Sequence, residues 1–112
     1  MATVSSSFDI KVFTVHRLRV NYKSLVAESR ILRQEVRRCG AVYRDQLHLH
    51  RVGKVRTELR ITGLALAYVR GRAYNVVEAK GSKGFDRQAV YAKLKRLDFP
   101  VTLKELENWA NH

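Results

Sequence analysis

Disulfides, membrane spans and catalytic constellations are what this sequence goes without. Cys39 is the only cysteine, so neither an intramolecular disulfide framework nor a cysteine-based zinc site can form, and a reducing compartment fits best. The longest apolar run, Leu64 to Val69, is a helix turn or two, far short of the roughly 18 apolar residues of a membrane span. Met1 to Ser7 lack the basic start and apolar stretch of a secretion signal, so a cytoplasmic location is expected.

Chemistry is equally scarce. His48 and His50 stand two apart, which puts them on different faces of a helix, and no cysteine or carboxylate pair completes a metal site beside them. They read as weak, pH-dependent additions to a positive surface formed by Arg44, Arg51 and Lys54. Glu28 and Glu35 sit among arginines, and no serine has a nucleophile-elbow context. Gly81-Ser-Lys-Gly84 lacks both the spacing of a phosphate loop and a preceding strand. The expectation is a protein that is not an enzyme, with no metal and no cofactor.

Acidic residues are also few, and here the absence becomes a signal. The 112 residues carry 22 Lys and Arg against 10 Asp and Glu, a formal net charge of +12. An apolar share of 46% is enough for a folded core, so this is not a disordered basic tail. Residues 16–60 hold 12 basic and 4 acidic side chains, residues 61–96 hold 8 and 2, and residues 97–112 hold 1 and 3. Arg outnumbers Lys 14 to 8, and the guanidinium fork suits bidentate contact with phosphate or carboxylate. Such a surface points to an acidic partner, nucleic acid first.

The periodicity predicts a mainly α fold. Residues 1–7 read as a flexible N-terminus, and residues 8–112 as one helical domain. Phe8, Ile10 and Val12 alternate with Asp9 and Lys11, which admits a short β-segment. Such a segment would need a pairing edge, so a homodimer through residues 8–15 is one expectation. From Asn21 as cap, a helical stripe of Tyr22, Leu25, Ser29, Leu32, Val36 and Cys39 runs to a stop at Gly40. Lys23, Arg30, Arg33 and Arg37 project away from it and, with Arg44 and Arg51, make a basic face on a helical hairpin over residues 21–60. The bland alternative is a solvated face.

A second helix is expected from about Tyr43 to Arg70, weakened at Gly53 and Gly63. Past residue 60 it is apolar on all sides, so C-terminal segments must cover it. A short helix over Ala73 to Lys80 and a fourth capped by Asp86, with Phe85 stapled on Val90, complete a helix-turn-helix-like unit over residues 61–97. Thr102 and Glu105 form a capping box, with Val101 and Leu106 as its staple after Pro100. They open a capping helix over residues 102–110 held by Leu103, Leu106 and Trp109.

Gly71-Arg-Ala-Tyr74-Asn-Val-Val77, followed by Phe85-Asp-Arg-Gln-Ala-Val90-Tyr91 and Leu94, resembles the trihelical helix-turn-helix DNA-binding domains of resolvases, transposases and response regulators. The resemblance makes Val77, Val90 and Leu94 packing positions and turns Gln88, Tyr91 and Lys95 toward base edges. Arg70, Arg72, Lys80, Lys83, Arg87 and Arg96 would hold the phosphate backbone. The chain departs from that family at Glu78, where a small residue is usual, and in a longer loop at Gly81 to Gly84. In overall style, and in the RGRAYNVVEAK stretch, it is similar to small basic proteins of tailed bacteriophages, which implies a host-cytoplasmic setting.

Three functions follow as expectations. The first is a helix-turn-helix DNA-binding regulator. The second is a non-enzymatic inhibitor or adaptor whose arginine face docks on an acidic host protein such as a polymerase. The third is binding of structured RNA, with few exposed aromatics for stacking single-stranded bases.

Overall fold

The computed structural model describes residues 7–39, 46–72 and 83–110. They form four helices: α1 (Ser7–Cys39), α2 (Gln46–Val69), α3 (Lys83–Arg96) and α4 (Leu103–Ala110). No strand occurs among them. The expected helix Ala73 to Lys80 and the glycine loop after it lie largely outside the described residues, as does Arg44.

The N-terminal β-segment is replaced by helix, since α1 already begins at Ser7. Alternation over Phe8 to Val12 is outvoted by the longer spacing Ile10, Thr14, Leu18, Asn21, Leu25 and Leu32, which steps by three, four or seven and lines one helical face. Thr14 and Leu18 are buried on that face, while Val12 and Phe13 on the opposite side are more than half exposed. A dimer made by pairing strands through residues 8–15 therefore has no strand to pair. Asn21 likewise does not cap the helix. It sits at mid-helix and accepts a hydrogen bond at 3.3 Å from the hydroxyl of Thr62, which is fully buried.

That bond belongs to an antiparallel hairpin. Tyr22 lies beside Gly63, where a Cβ would meet its ring at 3.8 Å, and further along Glu35 faces Arg51 at 3.9 Å. Residue numbers rise along α1 as they fall along α2. The helix α2 runs unbroken through Gly53 and Gly63, because packing of its apolar face outweighs the weak propensity of two glycines.

Past residue 60 the wide apolar arc is covered as its composition requires. Ile61, Leu64, Ala65 and Val69 share a core with Val90 and Leu94 of α3, Val101, and Leu106 and Ala110 of α4. Leu18 joins from the upstream side, so α1 also contributes to the cover. Two ion pairs tie α3 to α2: Arg60 to Asp86 at 3.0 Å and Lys93 to Glu58 at 3.4 Å. Asp86 is thus not the N-cap. The helix starts three residues earlier, and the carboxylate turns inward, 1% exposed, to meet Arg60. Phe85 is accordingly inside the helix and 54% exposed, not at the preceding position that a staple requires.

The last helix opens as read. Thr102 Oγ1 accepts from the Glu105 amide at 3.1 Å, and Glu105 Oε1 accepts from the Thr102 amide at 3.1 Å. Val101 and Leu106 are both buried. Trp109 Nε1 donates to the Arg72 carbonyl at 2.7 Å and its ring meets Tyr68 edge-on at 5.3 Å, which ties the C-terminal helix to the turn after α2. Burial, and then the charge of Glu105, raise the Tyr68 hydroxyl above its usual range. Leu103, in contrast, is 46% exposed and holds nothing in the core.

Candidate functional site

The expected base-facing residues lie on α3. Val90 and Leu94 are buried, as the packing positions should be, and fix which way the helix turns. Gln88 and Lys95 are exposed on the far side, seven residues and therefore about 10.5 Å of helix rise apart. Tyr91 lies between them in sequence but is half-buried and packs against the core. Arg96 is exposed, and Arg70 and Arg72 are exposed at the end of α2. Arg87 is half-buried beside Leu64, Leu106 and Trp109. Lys80 lies outside the described residues, and Lys83 is described only through its backbone at the start of α3.

The turn that presents Arg70 and Arg72 is a glycine cap. Gly71 has φ of 74°, its amide donates to Tyr68 O at 3.0 Å, and the Arg72 amide donates to Ala67 O at 2.9 Å. This pair of bonds is a Schellman motif, which absorbs the last carbonyls of α2.

The basic face on α1 is longer than the sequence suggested. Because the helix begins at Ser7, Arg19 falls on one face with Lys23, Arg30 and Arg37, all exposed, at spacings of four, seven and seven. The stripe is about 27 Å long at 1.5 Å per residue. Arg19 precedes the expected start at Asn21, and extending the periodicity back through Leu18 would have found it.

Not every cation is presented outward. Arg60 and Lys93 are turned into ion pairs within the fold, Arg51 leans toward Glu35, and Arg17 lies over the Phe13 ring at 5.4 Å. His48, expected on the positive surface, is 3% exposed. It shares a helical face with Val52 and Val55, and burial of that face against α1 carries the imidazole in with it.

Beyond residue 28 the two hairpin helices leave a cleft between them. Leu32, Val36, Val52 and Val55 line it with Arg33 and Arg37 from α1 and Arg56 from α2. Arg56 was not singled out from sequence, since its approach to Arg33 and Arg37 depends on the hairpin register. Among the described residues no three His, Cys, Asp or Glu side chains gather to hold a metal, and no helix is long and apolar enough to cross a membrane. Comparison of the chain with protein-family models, curated proteins and solved structures gives no match.

Proposed function

We propose that this chain is a non-enzymatic nucleic-acid-binding protein, in its most specific form a helix-turn-helix regulator of DNA, encoded by a phage and acting in the host cytoplasm. The observation that carries the reading is the exposed stripe Arg19, Lys23, Arg30 and Arg37 on a chain of net charge +12. No ion pair with another described residue engages those four side chains, which leaves them for phosphates. Gln88 and Lys95 on the exposed side of α3 suit adenine and guanine edges, with Arg70, Arg72 and Arg96 on the backbone. The rigid 33-residue helix and the outward α3 face favour duplex DNA over single-stranded RNA.

The test is fluorescence anisotropy with duplex DNA and structured RNA across a salt series, with genomic fragments as competitors. Arg30→Gln should lower the slope of log affinity against log salt by about 0.9 on every duplex. Gln88→Ala and Lys95→Ala should instead change which duplex survives competition. If both classes of variant lose affinity equally on all sequences, specific readout by α3 is wrong.

A second reading rests on the exposed apolar residues Phe13, Val20 and Ile31, which share α1 with the basic stripe. They favour an inhibitor or adaptor that meets an acidic protein surface, and such a complex would be stoichiometric and tight where nucleic-acid binding is weak.

A further inference from the structure

Phosphate contact needs only an exposed basic face, but the far end of the hairpin is concave. The cleft has a volume of about 610 Å3, within the range of small-ligand sites. Ser29 and His48 apart, the walls between its arginines are apolar, with Leu32 and Val55 almost wholly buried. Three arginines, Arg33, Arg37 and Arg56, line it from two helices, and no carboxylate stands among the described lining residues. Like charges gathered at the rim of one concavity repel one another. An anion placed between them relieves that repulsion, and guanidinium forks suit its oxygens. The walls add a second requirement, since only a ligand with an apolar body takes the still exposed surface of Val36, Leu49 and Val52 out of water.

We propose that this cleft binds an amphiphilic anion. A carboxylate, phosphate or sulfonate head is held by Arg33, Arg37 and Arg56, and an acyl or aryl body lies against the apolar walls. The site stands apart from the nucleic-acid reading through Arg56, which has no part in that reading.

The experiment is isothermal titration of the whole chain with decanoate and decyl phosphate, beside decylamine, decanol and inorganic phosphate. The two amphiphilic anions should bind one to one, and decanol and inorganic phosphate at least about tenfold more weakly. Arg56→Gln should weaken decyl phosphate by about tenfold while leaving the anisotropy with DNA unchanged. Val52→Trp should abolish binding by filling the space for the ligand's body, and Ser29→Leu narrows the same cleft if the tryptophan variant does not fold. Binding to vesicles of anionic lipid as well as to decyl phosphate identifies a lipid headgroup as the source, and binding to decyl phosphate alone identifies a free amphiphile. Equal binding of decylamine, or undiminished binding by Arg56→Gln and Val52→Trp, would overturn the proposal.

Discussion

At one end of the α1–α2 hairpin, Leu18 joins a core to which α2, α3 and α4 all contribute. At the other, Leu32 is just as buried, but the cleft between the two helices opens beside it. Both ends use leucines and valines on one helical stripe. The difference is the number of described helices that arrive: a pair of helices covers one stripe on each and leaves a concavity between them, whereas a third and fourth close it. The crossing end is therefore where stability is concentrated, and the open end has room for a ligand at little structural cost.

Truncation of a leucine at each end tests this contrast most strongly. Leu94, 0% exposed, is enclosed by α2 and α4, so Leu94→Ala should leave a cavity and cost about 3 to 4 kcal/mol in denaturant unfolding. Leu32→Ala borders space that is already open, so it loses mainly the transfer free energy, about 2 kcal/mol. Equal losses at the two positions would mean that the cleft is closed in solution and that the two ends are packed alike.

The ion pairs sharpen the same comparison. Asp86 is buried and its Oδ1 meets Arg60 at 3.0 Å, while Arg51 and Glu35 at the open end are 3.9 Å apart and more solvated. Asp86→Ala leaves a guanidinium partly buried without its anion. Since the Arg60 side chain keeps 27% exposure, the loss should be about 2 to 3 kcal/mol, below that of a wholly buried pair. Arg51→Ala should cost less than about 0.5 kcal/mol by the same measurement.

These features were unevenly legible in the sequence, and range explains why. The Thr102–Glu105 box and the Val101–Leu106 staple are complete within six residues, so their chemistry can be read without knowing the fold. The helix-turn-helix resemblance implied outward positions for Gln88, Tyr91 and Lys95; Gln88 and Lys95 are exposed, and Tyr91 packs half-buried against the core. Asp86 was misread as a cap because its partner, Arg60, is 26 residues away and nothing local distinguishes a capping carboxylate from one pointing inward. The start of α1 was misread because a five-residue alternation fits a strand, and the deciding residue, Thr14, is polar yet wholly buried. The cleft could not be read at all, since it exists only in the register that sets Arg56 across from Arg33 and Arg37.

The smallest effects come from two helix ends that reach one geometry with different residues. α3 finishes as α2 does: the Asp98 amide donates to Lys95 O at 3.0 Å, and the Phe99 amide donates to Leu94 O at 3.0 Å. The left-handed position is Gly71 in the first cap and Asp98, with φ of 58°, in the second. A Cβ added at Gly71 meets nothing within 4 Å, so the cost of Gly71→Ala is conformational, about 1 kcal/mol. Asp98→Gly relieves the same strain, but Asp tolerates this region better than most residues and glycine adds entropy to the unfolded chain. The net gain should be no more than about 0.5 kcal/mol, seen as a small rise in the denaturant midpoint at unchanged slope. Destabilisation by Asp98→Gly would show that the carboxylate contributes to the cap beyond its backbone geometry, and that the two helix ends are not equivalent.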